Sequence, residues 1–91
     1  MNDYMAKVDG ELRVFIEEKQ EEVRQDVIAQ YIKSRKEQHM TQADVADKLG
    51  VKRPNITRFE NGSYNPTVDM LVKIAASMGK EVEIRLVEKR A

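Results

Sequence analysis

The stretch TQADVADKLGVKRPNITRFENG, residues 41–62, decides the fold. Thr41 and the acidic Asp44 three residues later form a capping box, which predicts the start of a helix. Gly50 ends that helix, because glycine tolerates the positive φ that a tight turn requires. Pro54 then stands where the first turn of a helix is expected, since a missing N–H costs little there. The stretch therefore predicts two short helices joined by a turn.

Small and apolar side chains explain how these two helices would pack. Ala46 is small enough for the helices to cross closely, and Ile56 is expected to fill the angle between them. This is the physical basis of a helix-turn-helix, in which the second helix enters the major groove of DNA. We expect the recognition helix at residues 53–60.

Two further helices are predicted on either side of this stretch. Apolar residues recur at three- and four-residue spacing from Val23 to about Gln38, which indicates an amphipathic helix. His39 follows at a point where a left-handed residue is expected. Thr67 is expected to cap a last helix, and Gly79 to end it.

The C-terminal residues change period. Charged and apolar residues alternate from Glu81 to Val87, which predicts a half-buried β-strand. A lone strand leaves its backbone groups unpaired, so we expect Val82, Ile84 and Leu86 to mediate dimerisation with a second copy. The alternative partner is a strand at the N-terminus.

Two interpretations of residues 4–16 are open. Asp9 caps a helix that starts near Glu11, or Asp9-Gly10 closes a β-hairpin. The Glu/Gln/Lys-rich sequence that follows favours the helix. The apolar residues of this region are expected to pack onto the domain, with an exposed docking stripe as the alternative; they are Leu12, Phe15 and Ile16.

The charges cancel over the 91 residues but are unevenly distributed. The chain has 16 Lys+Arg and 16 Asp+Glu, a net charge of zero. Residues 1–26 carry eight acids and four bases, whereas residues 27–91 carry twelve bases and eight acids, giving sums of −4 and +4. The basic part includes the predicted helix-turn-helix, so a zero total does not exclude DNA as a partner.

Composition also excludes several classes of function. There is no cysteine and one histidine, His39, so neither disulfides nor a multi-histidine metal site is expected. The carboxylate pairs Glu17-Glu18 and Glu21-Glu22 lie on a solvated helix face rather than in a cleft, so they are not expected to be catalytic. We predict no enzyme activity and no cofactor, because no nucleophile–base set, metal cluster or phosphate-binding loop is apparent. We predict no membrane partner and a cytoplasmic location, because neither a signal peptide nor a membrane span is apparent.

The sequence resembles the phage-repressor-like helix-turn-helix family, of Xre or Cro type, over roughly Val27 to Gly79. The residues that carry the resemblance are Arg35, Thr41-Gln42, Ala46, Leu49-Gly50, Ile56, Glu60-Asn61-Gly62 and Asn65-Pro66. The resemblance implies an all-α, lambda-repressor-like bundle of four to five helices that binds double-stranded DNA as a homodimer. We add to this an extra N-terminal helix and the C-terminal strand.

The resemblance also implies a role for individual residues. Arg53 and Arg58 would donate to guanine, and Asn55 would pair with adenine or contact a phosphate. Pro54 would touch a thymine methyl or only shape the helix. The residues that would contact phosphates are Gln42, Lys52, Thr57 and Asn61. Arg35 and Glu60 correspond to a structural ion pair in the family.

The chain departs from the family at its two ends, and this divides it into three parts. We expect an acidic, helical extension at 1–22, the DNA-binding domain at 23–79, and a strand and tail at 80–91. The predicted strand replaces the family's usual fifth helix. A C-terminal ending of this kind resembles that of the helix-turn-helix antitoxins of toxin–antitoxin pairs. The predicted function is a sequence-specific transcriptional repressor; the alternative is an antitoxin that binds a toxin protein and autoregulates its operon.

Overall fold

The computed structural model describes residues 9–89, and within this range the chain folds into four α-helices. They are α1 (Gly10–Glu37), α2 (Gln42–Leu49), α3 (Arg53–Glu60) and α4 (Val68–Ser77). The helices α2, α3 and α4 form a compact group, and the C-terminal half of α1 packs against α3. The predicted all-α helix-turn-helix bundle is therefore confirmed.

Helix α1 is one unbroken helix of 28 residues. Asp9 caps it, since the Asp9 carboxylate accepts a hydrogen bond from the Leu12 backbone N–H at 2.9 Å. The prediction of an extra, separate N-terminal helix is wrong, because the acidic stretch and the first helix of the bundle are continuous across residues 22 and 23. The hairpin interpretation fails for residues 9–16; its remaining residues, 4–8, lie outside the described part of the chain.

The shorter helices begin and end at the predicted signals. Thr41 and Asp44 form a reciprocal capping box, with bonds of 3.0 and 2.8 Å. Gly50 adopts the left-handed conformation at φ 68° and turns the chain from α2 toward α3. The Thr67 hydroxyl caps α4 by accepting from the Met70 N–H at 3.1 Å. His39, the one described non-glycine residue at positive φ, closes α1 at φ 57°.

The core lies where α2, α3 and α4 meet. Its buried members are Val45, Ala46, Ile56, Phe59, Ile74 and Met78. Tyr31 on α1 packs edge-on against Phe59, with ring centroids 5.2 Å apart, and donates its hydroxyl proton to the Leu71 carbonyl at 2.8 Å. These contacts fix α1 across the back of the bundle, and the exclusion of water around the hydroxyl raises the pKa of Tyr31.

No β-strand forms within residues 9–89, so the predicted strand is wrong for the single chain. A strand needs a hydrogen-bonded neighbour, and the described residues provide none. Val82 is half-buried, whereas Ile84 and Leu86 are 65% and 99% exposed. We call residues 80–89 the tail.

The tail lies alongside α1 in the opposite direction. At its start, the Gln38 side chain at the end of α1 donates to the Met78 carbonyl at 2.9 Å. At its end, the Lys89 ammonium lies 4.4 Å from the centre of the Phe15 ring. The ten extended residues and the 23 helical residues between these contacts both span about 35 Å.

The apolar residues near the start of α1 do not join the core. Leu12 is exposed, and Phe15 and Ile16 are only half-buried, so the prediction that all three pack onto the domain is wrong for Leu12. The reason is that α1 extends past the bundle at this end. None of the helices in residues 9–89 has the length and apolar character needed to cross a membrane.

Candidate nucleic-acid interface

The outward face of α3 is cationic and solvent-exposed. Lys52, Arg53 and Arg58 are exposed, and Pro54 lies between the two arginines. Arg53, Pro54, Thr57 and Arg58 line a shallow hollow on this face. The buried residues Ile56 and Phe59 hold the opposite face of α3 in the core, so the helix presents this surface rigidly.

Arg58 and Asn55 are joined on the surface of α3. One guanidinium N–H of Arg58 donates to the Asn55 side-chain oxygen at 2.5 Å, across one helical turn. A guanidinium has five N–H groups, so the bond to Asn55 fixes its direction and leaves donors for a ligand. Two of the predicted DNA-contacting residues, Arg58 and Asn55, therefore form one hydrogen-bonded unit.

The start of α3 has no side-chain cap. Lys52 occupies the N-cap position without a side-chain hydrogen bond, and Pro54 has no N–H to satisfy. The positive end of the helix dipole thus lies beside the Lys52 ammonium and the Arg53 guanidinium. These charges have the same sign, so they repel each other and attract an anion such as a phosphate.

Gln42, the first residue of α2, is held at both ends of its amide. Its nitrogen donates to Glu60 Oε1 at 2.9 Å, and its oxygen accepts from the Thr57 hydroxyl at 2.7 Å. An ionised carboxylate only accepts, so these bonds fix which end of the amide is which. Two predicted phosphate-contacting residues, Gln42 and Thr57, are thus in direct contact.

Glu60 links this pair to the interior through Arg35. The Arg35 guanidinium donates to both Glu60 oxygens, at 2.7 and 2.9 Å, and to the Met40 carbonyl at 2.9 Å. The two side chains are only 12% and 9% exposed. The hydrogen bond to Glu60 and its negative charge raise the pKa of Arg35, although burial opposes this. The ion pair therefore joins α1, α3 and the start of α2.

Asn61 lies just after α3, and its side chain shapes the turn there. The Asn61 side-chain oxygen accepts from the backbone N–H of Ser63 at 3.0 Å and from the Ser63 hydroxyl. This residue is exposed, on the chain segment that leaves the recognition helix. The described residues also contain no group of three or more His, Asp or Glu side chains that would suit a metal ion.

Sequence reasoning did not identify the bonds of Gln42 to Glu60 and Thr57. Residues 15 and 18 positions after Gln42 are brought to it only by the angle between α2 and α3. Composition and periodicity do not encode that angle. The available signal was the small residue Ala46, which predicts a close crossing of the two helices without saying which polar groups it joins.

These features define a helix-turn-helix domain with an exposed cationic recognition helix. A family profile described as "Helix-turn-helix" matches residues 32–84, more than half of the chain. The chain therefore belongs to the helix-turn-helix family, in its Xre-type branch.

Similar proteins agree with this assignment. The chain is 34% identical over 76 residues to an uncharacterized HTH-type transcriptional regulator of Haemophilus influenzae, covering 81% of this chain and 78% of that one. It is 36% identical over 61 residues to the ImmF control region 10 kDa protein of Bacillus phage phi105, covering 60% and 68%. A toxin-antitoxin module from Streptococcus pneumoniae is similar in structure, with a TM-score of 0.63, 25% identity, and 96% and 91% of the two chains covered.

Proposed function

We propose that this DNA-binding transcriptional regulator binds a specific operator through the outward face of α3 and represses a promoter that the operator overlaps. The observation that carries the proposal is the exposed pair Arg53 and Arg58, held on the second helix of a helix-turn-helix whose inner face is buried. Arginine is the side chain best suited to bidentate contact with guanine in the major groove.

The remaining residues of the face support this role in two ways. Asn55 is suited to pair with adenine, and Pro54 to touch a thymine methyl. The residues proposed to contact phosphates surround this centre: Gln42, Lys52, Thr57 and Asn61. Phosphate contacts position the protein on the duplex, and base contacts select the sequence.

Substitution of the two arginines tests the proposal. A binding site is first selected from a random duplex DNA library with the wild-type protein. Arg53→Ala and Arg58→Ala should each weaken binding to that site by about 1–3 kcal/mol, measured by fluorescence anisotropy. Lys73→Ala is the matched control, because Lys73 is an exposed cation on α4 outside the helix-turn-helix.

The proposal fails if the selection enriches no sequence, or if both arginine variants bind the selected site as tightly as the wild type. Circular dichroism should show the same helix content for all three variants. A loss shared equally by Lys73→Ala would indicate a general charge effect rather than recognition.

We further propose that the protein acts as a homodimer through its tail. Two recognition helices then contact half-sites about 34 Å apart on one face of the duplex. The exposed apolar residues Ile84, Leu86 and Val87 support this, because apolar side chains exposed close together are typical of an interaction surface. Val82 belongs to the same alternating set.

Deletion of residues 81–91 tests the role of the tail. The truncated chain should sediment as a monomer and lose operator affinity steeply, because each chain then binds only one half-site. The four helices end before residue 81, so circular dichroism should report an intact fold. An unchanged sedimenting mass would contradict the tail-mediated dimer.

A second candidate function is that of an antitoxin. The similarity in structure to the Streptococcus pneumoniae module extends over nearly the whole chain, including the long α1. Residues 11–26 of α1 present carboxylates suited to a basic protein surface: Glu11, Glu17, Glu18, Glu21, Glu22 and Asp26. Co-expression with the product of the adjacent gene tests this. If this chain is an antitoxin, that product should inhibit growth when expressed alone and should co-elute with this chain. The absence of both effects would exclude the antitoxin function.

A further inference from the structure

Asn55 and Arg58 form a side-chain pair within the recognition helix itself. The Arg58 guanidinium donates to the Asn55 side-chain oxygen at 2.5 Å, and the two residues are three positions apart. Residues at this spacing are neighbours on one face of a helix, so the pair needs no support from another element. Asn55 is half-buried, whereas Arg58 is exposed. The pair therefore has a short inner member and a long outer member.

The hydrogen bond turns the Asn55 amide along the helix. Asparagine reads adenine with both ends of its amide, since the oxygen accepts from adenine N6 and the nitrogen donates to N7. The Asn55 oxygen points instead to a residue one turn further along α3. An amide in this direction does not present both of its ends to a base edge.

Arg58 keeps the donors that a guanine requires. A guanidinium has five N–H groups in a planar fork, and two parallel N–H groups can reach guanine O6 and N7 together. The bond to Asn55 uses one N–H, so four remain, and a parallel pair is among them. Because the fork is planar, the bond also restrains the direction of these free donors.

Arg53 has no comparable restraint. Within residues 9–89, its side chain has neither a hydrogen bond nor an ion pair. Such a side chain samples several rotamers until DNA is bound, and ordering it then costs conformational entropy. The two arginines of the recognition face are therefore not equivalent, because only Arg58 is oriented before binding.

We propose that Asn55 is a positioning residue, which holds the Arg58 guanidinium in the direction for bidentate contact with a guanine. Arg58 then sets the most selective base position of the operator, and Arg53 contributes more to affinity than to selectivity. This inference rests on the proposed function and specifies how base selection is divided along α3. Without the bond to Asn55, Arg58 must be ordered when it binds guanine, which weakens that contact alone.

Base substitution in the selected duplex tests the positioning role. The guanine preference at a position is the dissociation constant with adenine there divided by that with guanine, measured by fluorescence anisotropy. Arg58→Ala identifies the relevant position, as the one where the guanine preference disappears. Asn55→Ala should lower the preference at that position roughly threefold to tenfold and leave the other positions unchanged.

Two further variants separate positioning from the loss of any amide. Asn55→Asp keeps an oxygen that accepts from Arg58, so it should retain most of the guanine preference even though its charge weakens binding to every duplex. Asn65→Ala is the matched control. The Asn65 side-chain oxygen also accepts from an arginine, Arg24, at 3.0 Å, but this pair lies outside α3. The control should leave the guanine preference unchanged, and circular dichroism should show equal helix content for all variants.

The double variant shows whether Asn55 acts through Arg58. In the Arg58→Ala background, Asn55→Ala should change no base preference further. Loss of an adenine preference at another position, equal in both backgrounds, would show that Asn55 reads adenine itself and would overturn the positioning role.

Two other results would also overturn the positioning role while leaving α3 as the recognition helix. One is an unchanged guanine preference in Asn55→Ala. The other is that Arg53→Ala removes a guanine preference and Arg58→Ala removes none. Failure of the proposed function is a different result, in which both arginine variants bind the selected duplex as tightly as the wild type.

Discussion

At the scale of single residues, Glu60 connects stability with the DNA-binding surface. One oxygen, Oε1, accepts from both Arg35 and Gln42, and the other accepts from Arg35 alone. The Arg35 charge offsets the carboxylate, which would otherwise lie next to a proposed phosphate-contacting residue and repel the phosphate. The ion pair is thus both a tie between helices and a means of keeping Gln42 in place.

We predict that Glu60→Gln lowers the free energy of unfolding by about 2–3 kcal/mol, because it leaves the Arg35 cation mostly buried without its carboxylate. The matched control is Glu22→Gln. It removes the carboxylate of the exposed Lys19–Glu22 pair and should cost at most about 0.5 kcal/mol. Urea denaturation followed by far-UV circular dichroism measures both. Equal losses would contradict the central role of the Arg35–Glu60 pair.

At the scale of secondary-structure elements, α2 and α3 start differently. Helix α2 has a complete capping box, and hydrogen bonds from the Thr41 backbone and hydroxyl lower the pKa of Asp44. Helix α3 has Lys52 at the same position and no cap bond. Stability would favour Ser or Thr there, whereas attraction of a phosphate favours lysine. The proposed phosphate contact of Lys52 would account for the missing cap.

The substitution Lys52→Ser should therefore have opposite effects on stability and binding. We expect the free energy of unfolding to rise by about 0.5–1 kcal/mol, because serine caps α3. The slope of log affinity against log salt concentration for DNA should fall in magnitude by about 1, because one phosphate contact is lost.

Lys80→Ser is the control for this prediction, since it removes the same charge from an exposed position outside any helix. Both quantities should stay close to those of the wild type. If Lys52→Ser leaves the salt dependence unchanged, Lys52 does not contact a phosphate.

The elements between residues 41 and 79 were predictable because local signals fix their ends. Thr41, Gly50 and Thr67 each act through their own backbone neighbourhood, so no tertiary knowledge was needed. The continuity of α1 could also have been predicted from the sequence, since residues 11–37 contain neither glycine nor proline. The drop in apolar residues at 17–22 suggested a boundary, but it marks only the point where the helix leaves the bundle.

The conformation of the tail could not be predicted in the same way. The alternation of Val82, Ile84 and Leu86 predicts a strand, but a strand also needs a neighbour, and no described residue pairs with the tail. Similarly, the contact of Gln42 with Glu60 depends on the angle between helices.

At the scale of the whole molecule, the zero net charge is the sum of two segments of opposite charge. The acidic residues of the N-terminal segment lie on α1, whereas residues 33–58, which include α2 and the start of α3, carry seven bases and three acids. The proposed DNA surface therefore lies in the basic segment of the chain.

Amide chemical-shift mapping by NMR with the selected duplex tests recognition through α3 most directly. If α3 is the recognition helix, the large shifts fall on the start of α2, on residues 52–58 and on Asn61, and residues 10–20 of α1 change little. Shifts confined to the N-terminal half of α1, or none at saturating DNA, would contradict recognition through α3.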